Sequence, residues 1–148
     1  MAQTLTRLLV HIVFSTKGRA DLITPKMELE IYRYIGGVCR GANSPLLDAG
    51  GTANHVHLLV SLSKNIALAE LLLQIKRDST RWIKSNHAKN FRWQEGYGAF
   101  SIGESARAST GRYFARQKQH HKKESFEDEL RNFLRLYKME WEEEYVFD

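Results

Sequence analysis

Cysteine is almost missing from this chain. The single thiol, Cys39, excludes an intramolecular disulfide and fits a reducing, cytoplasmic setting. Long apolar runs are missing too. The first one, Leu8 to Phe14, is far too short to cross a bilayer, so no membrane role is expected. It is not followed by a small-residue cleavage site, which argues against a secretory signal. No internal repeat, low-complexity tract or linker interrupts the 148 residues, so one domain, 1–148, is expected. What remains is the composition of a globular protein, 43% hydrophobic and 26% charged, with enough chain for a real core. The net charge of +5 favours a polyanionic partner, nucleic acid above all. That charge is uneven: Glu140 to Asp148 is acidic, and Lys64 to Lys123 carries most of the positive excess.

Hydrophobic periodicity gives the order of elements. Leu8 to Ser15 is apolar on both faces and reads as a central strand. Thr24 caps a helix with Pro25 at its first position, running to about Arg40 with Gly41 as a stop. Ser44 to Ala49 reads as a strand, turned by Gly50-Gly51 into a second strand beginning at His55. Asn65 caps a helix from Ile66 to about Ser85, with Leu68, Leu72, Ile75, Ser79 and Trp82 inward. On its other faces, Lys76, Arg77, Arg81 and Lys84 are either a solvated surface or a phosphate track. Tyr97 to Ile102 is a further strand. A helix from about Glu104 to His121 follows, interrupted by Gly111, which is either a hinge or a weak spot. Ser125 opens a last helix with a capping box and a stripe of Phe126, Leu130, Phe133, Leu134 and Tyr137. The order β-α-β-β-α-β plus two helices predicts an α+β, ferredoxin-like (RRM-like) antiparallel sheet. Both internal helices would cover one sheet face and leave the other open.

The chemistry starts at Asn54-His55-Val56-His57-Leu58-Leu59-Val60. Strand alternation puts Val56, Leu58 and Val60 on an apolar face and both imidazoles on the other, side by side. Neighbouring imidazoles suit a divalent metal. In the helix after the last strand, Tyr113 and Gln117 are four apart and share a face, which His120 or His121 continues. Two imidazoles and an amide oxygen make three protein ligands and leave positions for phosphate oxygens, a set that suits Mg²⁺ or Mn²⁺. A tyrosine beside such an ion and basic residues can attack a phosphodiester, giving a phosphotyrosine that conserves bond energy.

Four segments in this order resemble the single-tyrosine HUH (His-hydrophobic-His) transposases, small enzymes of bacterial insertion sequences that move as single-stranded DNA. They are His11-Ile12-Val13-Phe14-Ser15-Thr16-Lys17, His55-Val56-His57-Leu58-Leu59-Val60, Trp93 to Ser101, and Tyr113 with Gln117 and His120-His121. The resemblance maps the metal pair onto His55 and His57, the third ligand onto Gln117, and the nucleophile onto Tyr113. It implies a 5′-phosphotyrosine and a free 3′-OH, followed by strand transfer. It also implies hairpins at element ends as the DNA recognised, and a homodimer in which one subunit's tyrosine helix can serve its partner's histidines. Two departures stand out: Ala53-Asn54 replaces the family's usual Pro-Asp, and Ala106 to Arg112 is short of apolar anchors.

Lys17, Arg19, Arg112 and Arg116 are the expected phosphate contacts, with His120 and His121 positioning DNA or metal. His11 reads as a satisfied sheet histidine. Trp82, Trp93, Tyr97 and Phe100 read as packing, with base stacking the alternative for exposed ones. Two other readings stay open: a single-strand nucleic-acid-binding module, including an inactive or domesticated copy, and an HUH replication initiator or relaxase. The first gives no reason for the His55, His57, Tyr113 and Gln117 constellation. The second usually brings a third histidine to the metal.

Overall fold

The computed structural model describes residues 2–148. Its sheet contains β1 (Leu9–Ser15), β2 (Leu46–Gly51), β3 (His55–Ser61) and β4 (Gly98–Ile102) in the order β2-β3-β1-β4, with every neighbour antiparallel. β1 and β3 are central, as the two-faced apolarity of β1 requires. α1 (Pro25–Gly41) and α2 (Leu68–Asn86) cover one face. There Ile12 and Phe14 of β1 and Val56, Leu58 and Val60 of β3 pack against Ile31, Ile35, Leu71, Leu72, Ile75 and Ile83. This is the ferredoxin-like arrangement expected from the element order.

The other face is not open. α3 (Arg107–Ala115), the short α4 (Gln117–His120) and α5 (Phe126–Leu136) lie over it. Phe114 packs on Leu9 and Leu59, and Phe126, Leu130 and Leu134 pack on Val13 and Phe100. The histidine face is therefore an interior between sheet and C-terminal helices, because α5 has an apolar stripe that needs a surface to bury. The chain then folds back, and Trp141, Val146 and Phe147 pack at the edge of the same cluster.

Several local expectations shift. Gly50 and Gly51 are residues of β2, and the turn is Thr52-Ala53-Asn54. α1 runs through Gly41, and its left-handed stop is Asn43 (φ 52°). α2 begins at Leu68 with Ala67, not Asn65, at its N-cap, and its most buried residues include Leu71 and Ile83 in place of Leu68 and Trp82. The third helix breaks at Arg116 (φ −99°, ψ 8°), not at Gly111. Lys76 is neither a solvated charge nor a phosphate contact: its ammonium donates to the carbonyls of Gln94, Glu95 and Gly96 at 2.8, 3.0 and 2.6 Å. Ser125 caps α5 as expected, with Asp128 N–H donating to Ser125 Oγ at 3.1 Å, but the return bond of a capping box does not form among the described residues.

Two glycines lie where α3 meets β2. A Cβ on Gly50 would sit 2.4 Å from the Phe114 carbonyl oxygen, and one on Gly111 would sit 2.5 Å from Asp48 Oδ2. At Gly50 the neighbour is backbone, so glycine is needed for α3 to approach β2 this closely; at Gly111 it is the end of the Asp48 side chain, which can turn aside. We expect Gly50→Ala to lower unfolding free energy in urea by about 1–3 kcal/mol through overpacking. Gly37→Ala, where a Cβ meets nothing within 4 Å, should instead be neutral or gain about 0.5–1 kcal/mol. Equal effects at the two sites would contradict this packing account.

Candidate metal centre and tyrosine site

His55 and His57 project from β3 into the layer under the C-terminal helices, and both are fully buried. Each neighbouring element adds one polar group. Tyr113 comes from α3, Gln117 opens α4, His121 follows it, and Glu129 lies on the inner face of α5. Glu129 is the meeting point. Its Oε1 lies 3.0 Å from His57 Nε2, 3.1 Å from His121 Nε2 and 3.5 Å from His55 Nε2. Its Oε2 accepts the Tyr113 hydroxyl and, at 3.0 Å, the Gln117 side-chain N–H. The Gln117 amide oxygen lies 2.9 Å from His55 Nε2.

The outer nitrogens of the rings determine what the inner ones offer. His121 Nδ1 is 2.7 Å from the Glu124 carbonyl, which can only accept, so this nitrogen carries the proton. His55 Nδ1 lies 2.8 Å from Asn54 Oδ1 and His57 Nδ1 lies 2.7 Å from His11 Nε2. Metal-binding histidines are held in this way, the far N–H donated to a fixed acceptor and Nε2 left as a lone pair. His121 Nε2 is buried and makes no hydrogen bond, since Glu129 lies off its axis. The ligand atoms of His55, His57, His121 and Glu129 all fall within 4.8 Å of one another. A lone pair without a proton donor, grouped with other nitrogens and a carboxylate, is the donor set a divalent ion fits.

Burial first, then the neighbouring His57, pushes His11 and His55 down to about 3. Burial alone would raise Glu129, but the close imidazoles of His121 and His57 and the Tyr113 hydroxyl outweigh it and hold the carboxyl well below its usual range. Tyr113 is pushed well above the ordinary phenol range by burial and by the Glu129 charge. His121 is raised: burial opposes its charge, and the Glu129 contacts exceed that effect.

Four residues singled out in the sequence, His55, His57, Tyr113 and Gln117, thus come together. His11 is a sheet histidine partnered by His57 and packed among Phe100, Phe114 and Phe133. The candidate phosphate contacts are scattered. Arg19 donates to the Phe147 carbonyl at 2.9 Å, and it lines, with Asn54, Lys118 and His121, a cavity of about 610 Å³ beside the centre. Arg112 lines a different cavity of about 600 Å³ with Asp48 and Arg107. Lys17 and Arg116 are exposed. His120 lies beside the Tyr113 ring, 5.5 Å between centroids, and pairs with Glu124 at 2.7 Å. His121 points into the cluster. Sequence reasoning missed Glu129, although a signal was there. Position 129 is three after Phe126 and four before Phe133, on the inward stripe, and a carboxylate in that slot needs a partner.

Comparison with known proteins places this geometry in context. The model of the IS200-like transposases matches residues 4–117. A structure from Deinococcus radiodurans R1, assigned as a transposase, superposes with a TM-score of 0.63 and 18% identity, covering 79% of this chain and 95% of that one. A REP-associated tyrosine transposase bound to a REP hairpin superposes with a TM-score of 0.60 and 14% identity, covering 82% of this chain and 74% of that one. At these identities the two structures speak for the fold alone. A comparison with curated proteins finds no match.

The depressed histidines predict an acid limb. Between about pH 3 and the ordinary histidine value of 6.5, the unfolded chain binds protons at positions 11 and 55 that the folded chain refuses. Without added metal, the unfolding temperature should therefore fall as pH is lowered from 6.5 towards 3. His11→Gln should make that slope shallower. A flat profile, or an unchanged slope in the variant, would contradict the neutral buried rings.

Proposed function

Since the chain belongs to the family of IS200-like transposases, matched over residues 4–117, we propose that it cleaves and rejoins single-stranded DNA with Tyr113 as nucleophile. The observation that carries this reading is the placement of the Tyr113 hydroxyl at the edge of the His/Glu cluster, hydrogen-bonded to Glu129. In the forward step, Tyr113 Oη bonds to phosphorus as the bond to the 3′ oxygen breaks. The products are a 5′-phosphotyrosine and a free 3′-OH. The phenol's proton has an acceptor already in contact, Glu129 Oε2. A phenol raised by burial does not ionise in advance, so proton loss accompanies attack. Rejoining is the reverse, attack by a 3′-OH on the phosphotyrosine, and needs no ATP.

His55 and His57 would hold Mg²⁺ or Mn²⁺, with the Gln117 amide oxygen beside His55 at the spacing of neighbouring ligands. Bound there, the ion supplies Lewis-acid polarisation of the phosphodiester. The chain's own work is orientation. Asn54 Oδ1 accepts at His55 Nδ1, His11 holds the His57 ring in place, and Phe133 packs against both Tyr113 and His57.

A hairpin near an element end is the substrate class we assign, by analogy with the hairpin-bound REP-associated relative. Tyr113 and Gln117 reach the histidines of their own chain, which supports a site completed within one subunit, whether or not the chain forms a homodimer.

Tyr113→Phe should abolish the covalent adduct with a labelled single-stranded hairpin oligonucleotide while leaving its binding intact. Undiminished adduct would remove Tyr113 from the mechanism. His57→Ala, or chelation of divalent metal, should reduce cleavage at least 100-fold. Mixing the two variants should give no rescue if each site is complete in one chain. Recovered cleavage would mean shared sites.

A further inference from the structure

Resting on the metal-assisted reading above, we infer that His121 and Glu129 are ligands of the same ion as His55 and His57, making a three-histidine, one-carboxylate centre. Both residues lie beyond Gln117, where the family match ends. The four donor atoms form one group within 4.8 Å, and three of the six separations fan out from a single oxygen, Glu129 Oε1, at 3.0, 3.1 and 3.5 Å. Ligands of one ion, with bonds of about 2.1 Å, lie about 3.0 to 4.2 Å apart, and the three separations from Oε1 fall in that range.

His121 is the telling member. Its Nδ1 is tied to the Glu124 carbonyl, and its Nε2 is buried, makes no hydrogen bond and lies within 4.8 Å of the other three donor atoms. Glu129 divides its oxygens. Oε1 faces the imidazoles, and Oε2 takes the Gln117 N–H and the Tyr113 hydroxyl. Gln117 then positions the carboxylate as well as standing beside His55. A centre with three imidazoles is softer than a carboxylate-and-water shell and favours Mn²⁺ over Mg²⁺. It also links nucleophile and ion through one side chain.

The test is binding of Mn²⁺ alone, read from loss of the free-ion electron paramagnetic resonance signal, with no DNA present. Wild type should bind one ion per chain. His57→Ala should lose the site. His121→Ala and Glu129→Gln should each weaken affinity at least 10-fold, whereas His120→Ala, whose ring pairs with Glu124, should not. Pulsed resonance on the loaded wild-type protein, which needs no variant to fold, should report three coordinated imidazoles. Two imidazoles, with wild-type affinity in His121→Ala and Glu129→Gln, would overturn this centre and leave the His55/His57 reading standing. No Mn²⁺ binding by the wild-type chain would overturn both.

Discussion

A carboxylate buried among imidazoles is the constraint on which the rest of this structure depends. Glu129 is enclosed between sheet and helices, where an unpaired carboxylate would cost several kcal/mol. It is tolerated because β3 turns two histidines toward it, His121 just after α4 supplies a third, and Tyr113 and Gln117 complete its hydrogen bonds. Removing the strand alternation, the helix break at Arg116 or the close glycine contacts would each leave that charge without part of its shell. The same enclosure makes the site chemically useful. Burial disfavours charge on His11 and His55, and the ligand atoms of His55, His57, His121 and Glu129 lie within 4.8 Å of one another.

This arrangement explains why transposase chemistry needs so little protein. The ferredoxin-like half builds one apolar layer, and all the reactive groups stand on the sheet's second face or on the helices covering it. Ordinary packing residues do the positioning. Phe114 sets α3 on Leu9 and Leu59, Phe126 and Leu130 set α5 on β1 and β4, and Phe133 fills the space between His11 and Tyr113.

Much of this was legible in the sequence, because period-two alternation in residues 55–60 and the four-residue spacing of Tyr113 and Gln117 are local signals. The sheet order followed from element order. What was not legible depended on tertiary contact. The covered second face came from docking the α5 stripe, which no strand pattern announces. Gly50 reads as part of a turn because a close backbone approach leaves no trace in one sequence. Nothing in the sequence marks Glu129 apart from its place between Phe126 and Phe133 on the inward stripe. Arg19, read as a phosphate contact, spends part of its guanidinium on the Phe147 carbonyl, a partner 128 residues away.

The most direct test of the central claim is mass spectrometry of the covalent complex formed with a single-stranded hairpin oligonucleotide and Mn²⁺. The account predicts one adduct, a 5′-phosphate ester on the peptide that contains Tyr113. An adduct on any other residue, or cleavage with no covalent species when the reaction is quenched within one turnover, would contradict it.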